Sequence, residues 1–372
     1  MKPLPFPDRR QFLKTGGALA ASLLSHDAQP GRDNQLPALP SSPRTQASMP
    51  TRNLGKTGYK VGIFSLGGQS AIEQPNNFDV AVPLIERALD HGVNLIDTAP
   101  RYGLPERWSE QYIGHVMEHR RNEVFVATKS RERSRDGALR DIEQSLKLMK
   151  TDHLDLWLLH NIGIPEEVNA VFAKGGAMEA FTQMREQKVV RYLGVTAHYQ
   201  PEPIIDIIKR FPFDACVLAL NAADTHNPHS FTQRLLPLAL EKQMGIIGMK
   251  IASRGRILSS WTPPPVEEQQ RSWEGVATRQ GTLNIRDATN YVLSLPVSTV
   301  IIGCDNIAQV EETCESPASS HPCRRARWPP SPIKPPPSQD KPSSSTSKAA
   351  LGTSIYRTTH RRTPGKRLLL RW

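Results

Sequence analysis

The chain has 372 residues and a formal net charge of +11, a balance that suits a nucleic-acid binder until the charge is located. Residues 313–372 hold 12 Lys or Arg against 2 acids and residues 1–50 hold 6 against 3, whereas residues 51–312 hold 29 against 31. A nearly neutral middle excludes a phosphate-backbone footprint there. Four Cys with no CxxC pair exclude a disulfide framework and a structural zinc site, and no apolar run is long enough to cross a bilayer as a helix.

In chain order, the first feature is DRRQFLKTGGALAASLL, residues 8–24. Arg9 and Arg10, followed by Gln11, Phe12, Leu13 and Lys14, resemble a twin-arginine export signal, with the short apolar stretch Thr15 to Leu24 behind them. That resemblance assigns residues 1–28 to a signal peptide. It implies the twin-arginine machinery as a partner, and export in the folded state to a periplasmic or otherwise extracytoplasmic location. Residues 29–50 are rich in Pro and Ser and read as a linker.

From Val61 onward, short apolar runs alternate with longer amphipathic stretches. The predicted strands are VGIFSLG (61–67), VNLID (93–97), EVFVATK (123–129), HLDLWLLH (153–160), RYLGVTA (191–197), DACVLAL (214–220), GIIGMK (245–250) and STVIIG (298–303). Between them helical spacing recurs; in RDGALRDIEQSLKLMK, Leu139, Ile142, Leu146 and Met149 form one stripe. Strands alternating with helices predict a parallel sheet, and eight such units over residues 51–312 fit a (β/α)8 barrel. The runner-up, an open doubly wound sheet, wants a GxGxxG turn after its first strand, and SLGGQSAIEQ lacks one.

Apolar periodicity stops after NIAQVEE, so the last barrel helix is expected to be lost or altered, leaving one flank less covered. Residues 313–372 carry ten Pro and ten Ser and are expected to be disordered. A reading-frame shift near residue 313 would account for the change; a native basic tail is the alternative.

In barrels of this kind chemistry sits at the C-terminal strand ends. Asp97, Lys129 and His160 stand there on the second, third and fourth runs, with Tyr102 in the loop after the second. Singly, each has an ordinary explanation: a capping acid, a rim lysine, a hydrogen-bonded core histidine. Three ionisable groups at one rim beside a tyrosine point instead to a site.

The segments TRNLGKTGYKV, NLIDTAPRYG, SEQYIG, FVATK, DLWLLH and VIIGCDNIAQVEE, in this order and spacing, resemble the aldo/keto reductase family over residues 51–312. The resemblance implies a (β/α)8 barrel without a metal, reducing a small aldehyde or ketone to an alcohol by hydride transfer from NADP(H) or NAD(H). Tyr102 would be the general acid. A free phenol has a pKa near 10, poorly matched to neutral pH. The Lys129 ammonium is expected to lower it, Asp97 to keep Lys129 charged, and His160 to position and polarise the carbonyl.

The same resemblance implies cofactor contacts from Thr196 and Asn221 to the nicotinamide amide, and from Lys250, Ser253 and Gly255 to the diphosphate. Gly303, Gln309 and Glu312 would serve the adenosine end. The family's usual Asn after Thr196 is Ala197 here, its usual Gln is Val217, and an Arg that grips a 2′-phosphate is Gln309. Trp108 is either a pocket wall or loop packing. Two other functions compete: a Schiff-base lyase using Lys129 or Lys250, and a cofactor-bound sensor or binding module with little turnover.

Overall fold

A computed structural model describes residues 35–227, 230–263, 265 and 280–315. The expected signal peptide (1–28) and the expected disordered tail, save residues 313–315, lie outside the described residues. A short hairpin, β1 (Thr51–Asn53) and β2 (Lys60–Gly62), comes first. Eight strands then follow: β3 (Phe64–Gly67), β4 (Leu95–Asp97), β5 (Phe125–Ser130), β6 (Leu154–Leu159), β7 (Val190–Ala197), β8 (Ala215–Ala219), β9 (Gly245–Met249) and β10 (Thr299–Ile302). All eight pair in parallel, and β10 closes back on β3. A closed parallel barrel rules out the open doubly wound sheet.

The predicted first strand, 61–67, is two elements. Residues 60–62 pair antiparallel with β1, and the chain turns at Ile63 before Phe64 enters the barrel. A continuous apolar run hides this break, because both halves are buried for different reasons. Leu54, Tyr59 and Val61 enter the barrel interior from its N-terminal end, packing with Leu95 and Phe125. The Tyr59 ring stacks on Phe125 at 4.6 Å and its hydroxyl donates to the Asn94 carbonyl at 2.8 Å. The hairpin therefore plugs one mouth, and only the strands' C-terminal mouth is left for chemistry.

The helices are α1 (Pro43–Ser48), α2 (Phe78–Asp90), α3 (Trp108–Arg120), α4 (Arg135–Leu148), α5 (Pro165–Phe172), α6 (Ala177–Glu186), α7 (Glu202–Arg210), α8 (Phe231–Arg234), α9 (Leu236–Glu241), α10 (Ile285–Ser294) and α11 (Ile307–Cys314). Helix α4 forms as its stripe predicts: Ile142 and Leu146 are buried, and the Ser134 side chain caps the Gly137 N–H at 3.2 Å. Each such buried aliphatic side chain contributes about 1.5–3 kcal/mol.

Two expectations concern the chain's ends. Of the expected linker 29–50, the described part is packed on the barrel: Ser42, Thr45 and Met49 are buried, and the Ser41 N–H donates to the Asn122 carbonyl at 2.9 Å. Met49 joins the core, and Arg44 pairs with Asp90 at 3.2 Å and Glu123 at 3.3 Å. At the other end, the last barrel helix, expected to be lost or altered, is present among the described residues as an eight-residue helix. Helix α11 runs to Cys314, two residues past the expected boundary, burying Val310 and Cys314, and Glu311 pairs with Arg87 of α2 at 2.6 Å. Eight residues suffice because its Asn306 side chain caps the Gln309 N–H. Among the described residues, no helix is long and apolar enough to cross a membrane.

Candidate active site

Side chains alternate along a strand with period two, and that rule builds the site. On β5, Phe125 and Ala127 face the barrel interior, so Lys129 faces inward one layer higher. On β4, Leu95 is interior and Asp97 follows; on β6, Leu156 and Leu158 are interior and His160 follows. The same alternation on β7 carries Tyr192 inward and then Thr196. Apolar layers below thus present Asp97, Lys129, His160 and Thr196 at one rim.

The geometry is close. The Lys129 Nζ donates to Asp97 Oδ2 at 2.6 Å, to the Thr98 carbonyl at 2.7 Å and to the Tyr102 hydroxyl at 3.5 Å. Lys129 is 1% exposed and Asp97 5%. An ammonium has three donors and no acceptor, and here three acceptors surround it. Tyr102 and His160 meet edge to face, with ring centroids 6.4 Å apart. Gly68 holds the arrangement from behind: its N–H donates to the Asp97 carbonyl at 2.7 Å, and a side chain there would meet Ser109 Oγ at 2.5 Å.

A second layer supports the first. Glu110, fully buried on α3, accepts from Thr128 Oγ1 at 2.9 Å, lies 3.6 Å from Arg107, and its charge favours the Lys129 ammonium. Arg133 donates to the carbonyls of His160 and Asn161, both at 3.1 Å, and pairs with Glu167 at 2.9 Å. Trp108, the first residue of α3, stacks on Tyr112 at 5.8 Å and packs against the core.

Electrostatics depart from the sequence expectation at one point. Burial holds the Tyr102 phenol well above its ordinary pKa of 10, and the Asp97 and Glu73 carboxylates push it further up. The expected lowering by Lys129 is not found. The amine is 3.5 Å from the phenol but 2.6 Å from Asp97, so its field is largely cancelled by its nearer partner. Burial also lowers the Lys129 amine, with Asp97 opposing, and raises the Asp97 carboxyl, with Lys129 opposing. Burial drives His160 well below 6.5, helped by Lys129 and His198, so the imidazole is neutral rather than poised to titrate.

Sequence reasoning missed three residues of the mouth. Asn161, next to His160, sits in the left-handed region at φ 56° with its Oδ1 buried and unpartnered among the described residues. His198 lies 5.7 Å from His160 between ring centroids. Arg131 follows Lys129 by two residues and its charge reaches both imidazoles. The signal was thin: each lies one or two positions past a strand end, where period two no longer says which way a side chain points.

The residues expected to hold a dinucleotide divide into two groups. Thr196 is buried and its Oγ1 accepts from the Asn161 N–H at 2.8 Å, so its hydroxyl lies against the residue whose Oδ1 is unpartnered. This hydroxyl and amide pair fits a carboxamide. The Asn221 side-chain oxygen is instead spent on the Ala223 N–H at 3.0 Å, and Val217 lies among the apolar interior residues. Lys250, Ser253, Arg254 and Gly255 all take positive φ, 55°, 49°, 57° and 84°. Such turns with basic side chains suit a diphosphate, and the space beside Gly255 holds only Trp261 within 4 Å. Gly303 is exposed, the Gln309 side chain accepts from the Asp305 N–H at 2.7 Å, and Glu312 is exposed beside Arg286 and Thr289. Gln309 is therefore occupied in shaping its own loop. The donor set fits the nicotinamide and diphosphate ends of the cofactor better than the adenosine end. Among the described residues no cluster of three or more His, Cys, Asp or Glu could hold a metal.

Residues 60–319 match the model of the aldo/keto reductase family. The chain belongs to that family. Its members' barrel and its NAD(P)-dependent oxidoreductase activity on small carbonyl compounds are thereby assigned at family level. Among relatives, the chain is 23% identical over 295 residues to the uncharacterized oxidoreductase YqkF of Bacillus subtilis, covering 72% of this chain and 91% of that one. It is 26% identical over 295 residues to 6-dehydroglucose reductase of Novosphingobium aromaticivorans, covering 71% and 89%. Among solved structures, the glycerol dehydrogenase AKR11B4 of Gluconobacter oxydans shares the fold at TM-score 0.59 and 20% identity, covering 72% of this chain and 89% of that one.

Proposed function

We propose that the protein reduces a small aldehyde or ketone to an alcohol, with Tyr102 donating the proton to the carbonyl oxygen. The observation that carries this reading is the hydrogen bond from Lys129 Nζ to the Tyr102 oxygen, made by an amine that Asp97 and Thr98 pin in place. Because Lys129 donates to that oxygen, the phenol proton points elsewhere and is available to a substrate. Reduced nicotinamide, when bound, supplies the hydride; Thr196 and Asn161 would hold its amide, and Lys250, Ser253, Arg254 and Gly255 its diphosphate.

A raised phenol pKa is compatible with this role. A general acid must be protonated, and Tyr102 is so throughout the neutral range. The oxygen it serves becomes as basic as an alkoxide, in the class of hydroxide, so transfer runs downhill once that charge develops. Lys129 then stabilises the phenolate left behind, a charge present only after the proton has moved.

His160 orients the carbonyl. Its Nδ1 is sealed from solvent with no partner. A sealed N–H without an acceptor is costly, so the neutral ring carries its proton on Nε2, which becomes a donor to the carbonyl oxygen. The lyase reading is disfavoured at Lys129, since an amine held as an ammonium by three acceptors is a poor nucleophile.

The test is oxidation of NADPH and of NADH by the full chain across a panel of neutral aldehydes and ketones. Carbonyl-dependent oxidation is expected. Tight cofactor binding with no oxidation on any carbonyl would favour the sensor, and borohydride trapping of a lysine would favour the lyase. We also propose that residues 1–28 direct export of the folded protein. Wild-type chain should fractionate outside the cytoplasm and the R9K/R10K double variant should stay inside; a cytoplasmic wild type would refute it.

A further inference from the structure

The mouth holds an imidazole, His198, and a guanidinium, Arg131, that carbonyl reduction by Tyr102 and His160 does not use. His198 follows β7, and its ring centroid is 5.7 Å from that of His160. Its Nε2 is sealed and unpartnered, like the Nδ1 of His160. By the same argument each neutral ring keeps its proton on the other nitrogen, so the pair offers two N–H donors close enough for one small molecule to touch both.

Arg131 adds charge to this pair. It is half-buried, two residues beyond Lys129, and makes no ion pair within 4 Å among the described residues. Its carbonyl is fixed by Arg133 Nη1 at 2.9 Å. Arg133 itself is spent, since it pairs with Glu167 and donates to the His160 and Asn161 carbonyls. Burial disfavours the Arg131 charge, Arg101 and Arg133 add to this, and Glu167 opposes it. A half-buried guanidinium among like charges calls for an anion, and the planar fork of Arg matches a carboxylate.

We propose that the substrate is a small oxo acid, whose carbonyl oxygen is taken by His160 and whose neighbouring carboxylate is clamped by His198 and Arg131. This rests on the carbonyl-reduction reading and narrows it. A carboxylate adjoining the carbonyl puts oxygens on neighbouring carbons, as two adjacent donors require. Arg254 and Lys250, on the β9 side, are left to the cofactor.

The experiment compares pyruvate with 2,3-butanedione, its neutral counterpart, as substrates of the full-length enzyme, and measures binding of oxamate, a non-reducible mimic of pyruvate. Wild type should favour pyruvate in kcat/KM. In Arg131→Gln and in His198→Phe that preference should fall at least about tenfold, as for loss of a charge-assisted hydrogen bond, through KM more than kcat, and oxamate binding should weaken in parallel. Reduction of butanedione with no preference for pyruvate, or variants that leave the preference intact, overturns the oxo-acid assignment while carbonyl reduction stands. Oxamate binding that Arg131→Gln abolishes, with no turnover of any carbonyl, supports the clamp and overturns the reduction reading. Absence of both overturns both.

Discussion

Removing Asp97 tests how the site is held. In Asp97→Asn the Lys129 ammonium, 1% exposed, loses the carboxylate 2.6 Å away and keeps only neutral acceptors. Breaking one side of a buried pair costs about 3–5 kcal/mol. The Asn oxygen still accepts one hydrogen bond, which puts the expectation near the lower end, about 3 kcal/mol. With a urea m-value of about 3 kcal/mol/M for a chain this size, the midpoint should fall by about 1 M. Lys129→Met should cost a similar amount, since it strands Asp97 without its cation. The double variant Asp97→Asn/Lys129→Met should cost clearly less than the sum, because no charge is then buried alone, with a coupling of about 1–3 kcal/mol. Urea unfolding of the four proteins, followed by circular dichroism, measures this cycle. Single variants within about 0.2 M of wild type, with additive effects, would refute the picture of a desolvated pair and leave Lys129 an ordinary rim residue.

Other expectations follow from the same geometry. Because burial keeps His160 neutral well below pH 6.5 and Tyr102 protonated well above pH 10, kcat/KM at saturating NADPH should show no limb from either of these two groups between about pH 6.5 and 10. A rising limb near pH 6.5 would mean that the imidazole is solvated. Asn161→Gly, which tolerates the left-handed backbone but deletes the amide, should weaken cofactor binding about fivefold, the worth of one hydrogen bond, read by quenching of tryptophan fluorescence; unchanged affinity would remove Asn161 from the cofactor site. Gly114→Ala should destabilise by about 1–3 kcal/mol, since a methyl group there would fall on the Leu148 carbonyl where α3 crosses α4. Thermal unfolding checks this, and an unchanged midpoint would show that the two helices can separate freely.

Much of this molecule is legible in its sequence, and the reasons differ by residue. Asp97, Lys129 and His160 could be read because each ends an apolar run, and period two carries them inward from Leu95, Phe125 and Leu158. The hairpin at 51–62 could not, since Gly62, Ile63 and Phe64 carry one apolar run across the break with no polar residue between the two elements. The direction of the Tyr102 shift was missed for a different reason. Sequence shows which charges are near a phenol but not how deeply it is buried, nor that Asp97 lies closer to the amine than the phenol does. Asn221 and Gln309 were assigned to a cofactor by position, yet each is committed to a backbone N–H of its own loop. Asn161, His198 and Arg131 lie beyond strand ends, where left-handed turns and cross-strand neighbours decide orientation.

The claim on which the rest depends is that one phenol hydroxyl delivers the proton. Tyr102→Phe keeps the ring against His160 and deletes only that oxygen. Reduction of the best carbonyl should fall by about 10²–10⁴-fold while NADPH binding is retained. Equal turnover by the two proteins would contradict the account and return Tyr102 to the role of a packing residue.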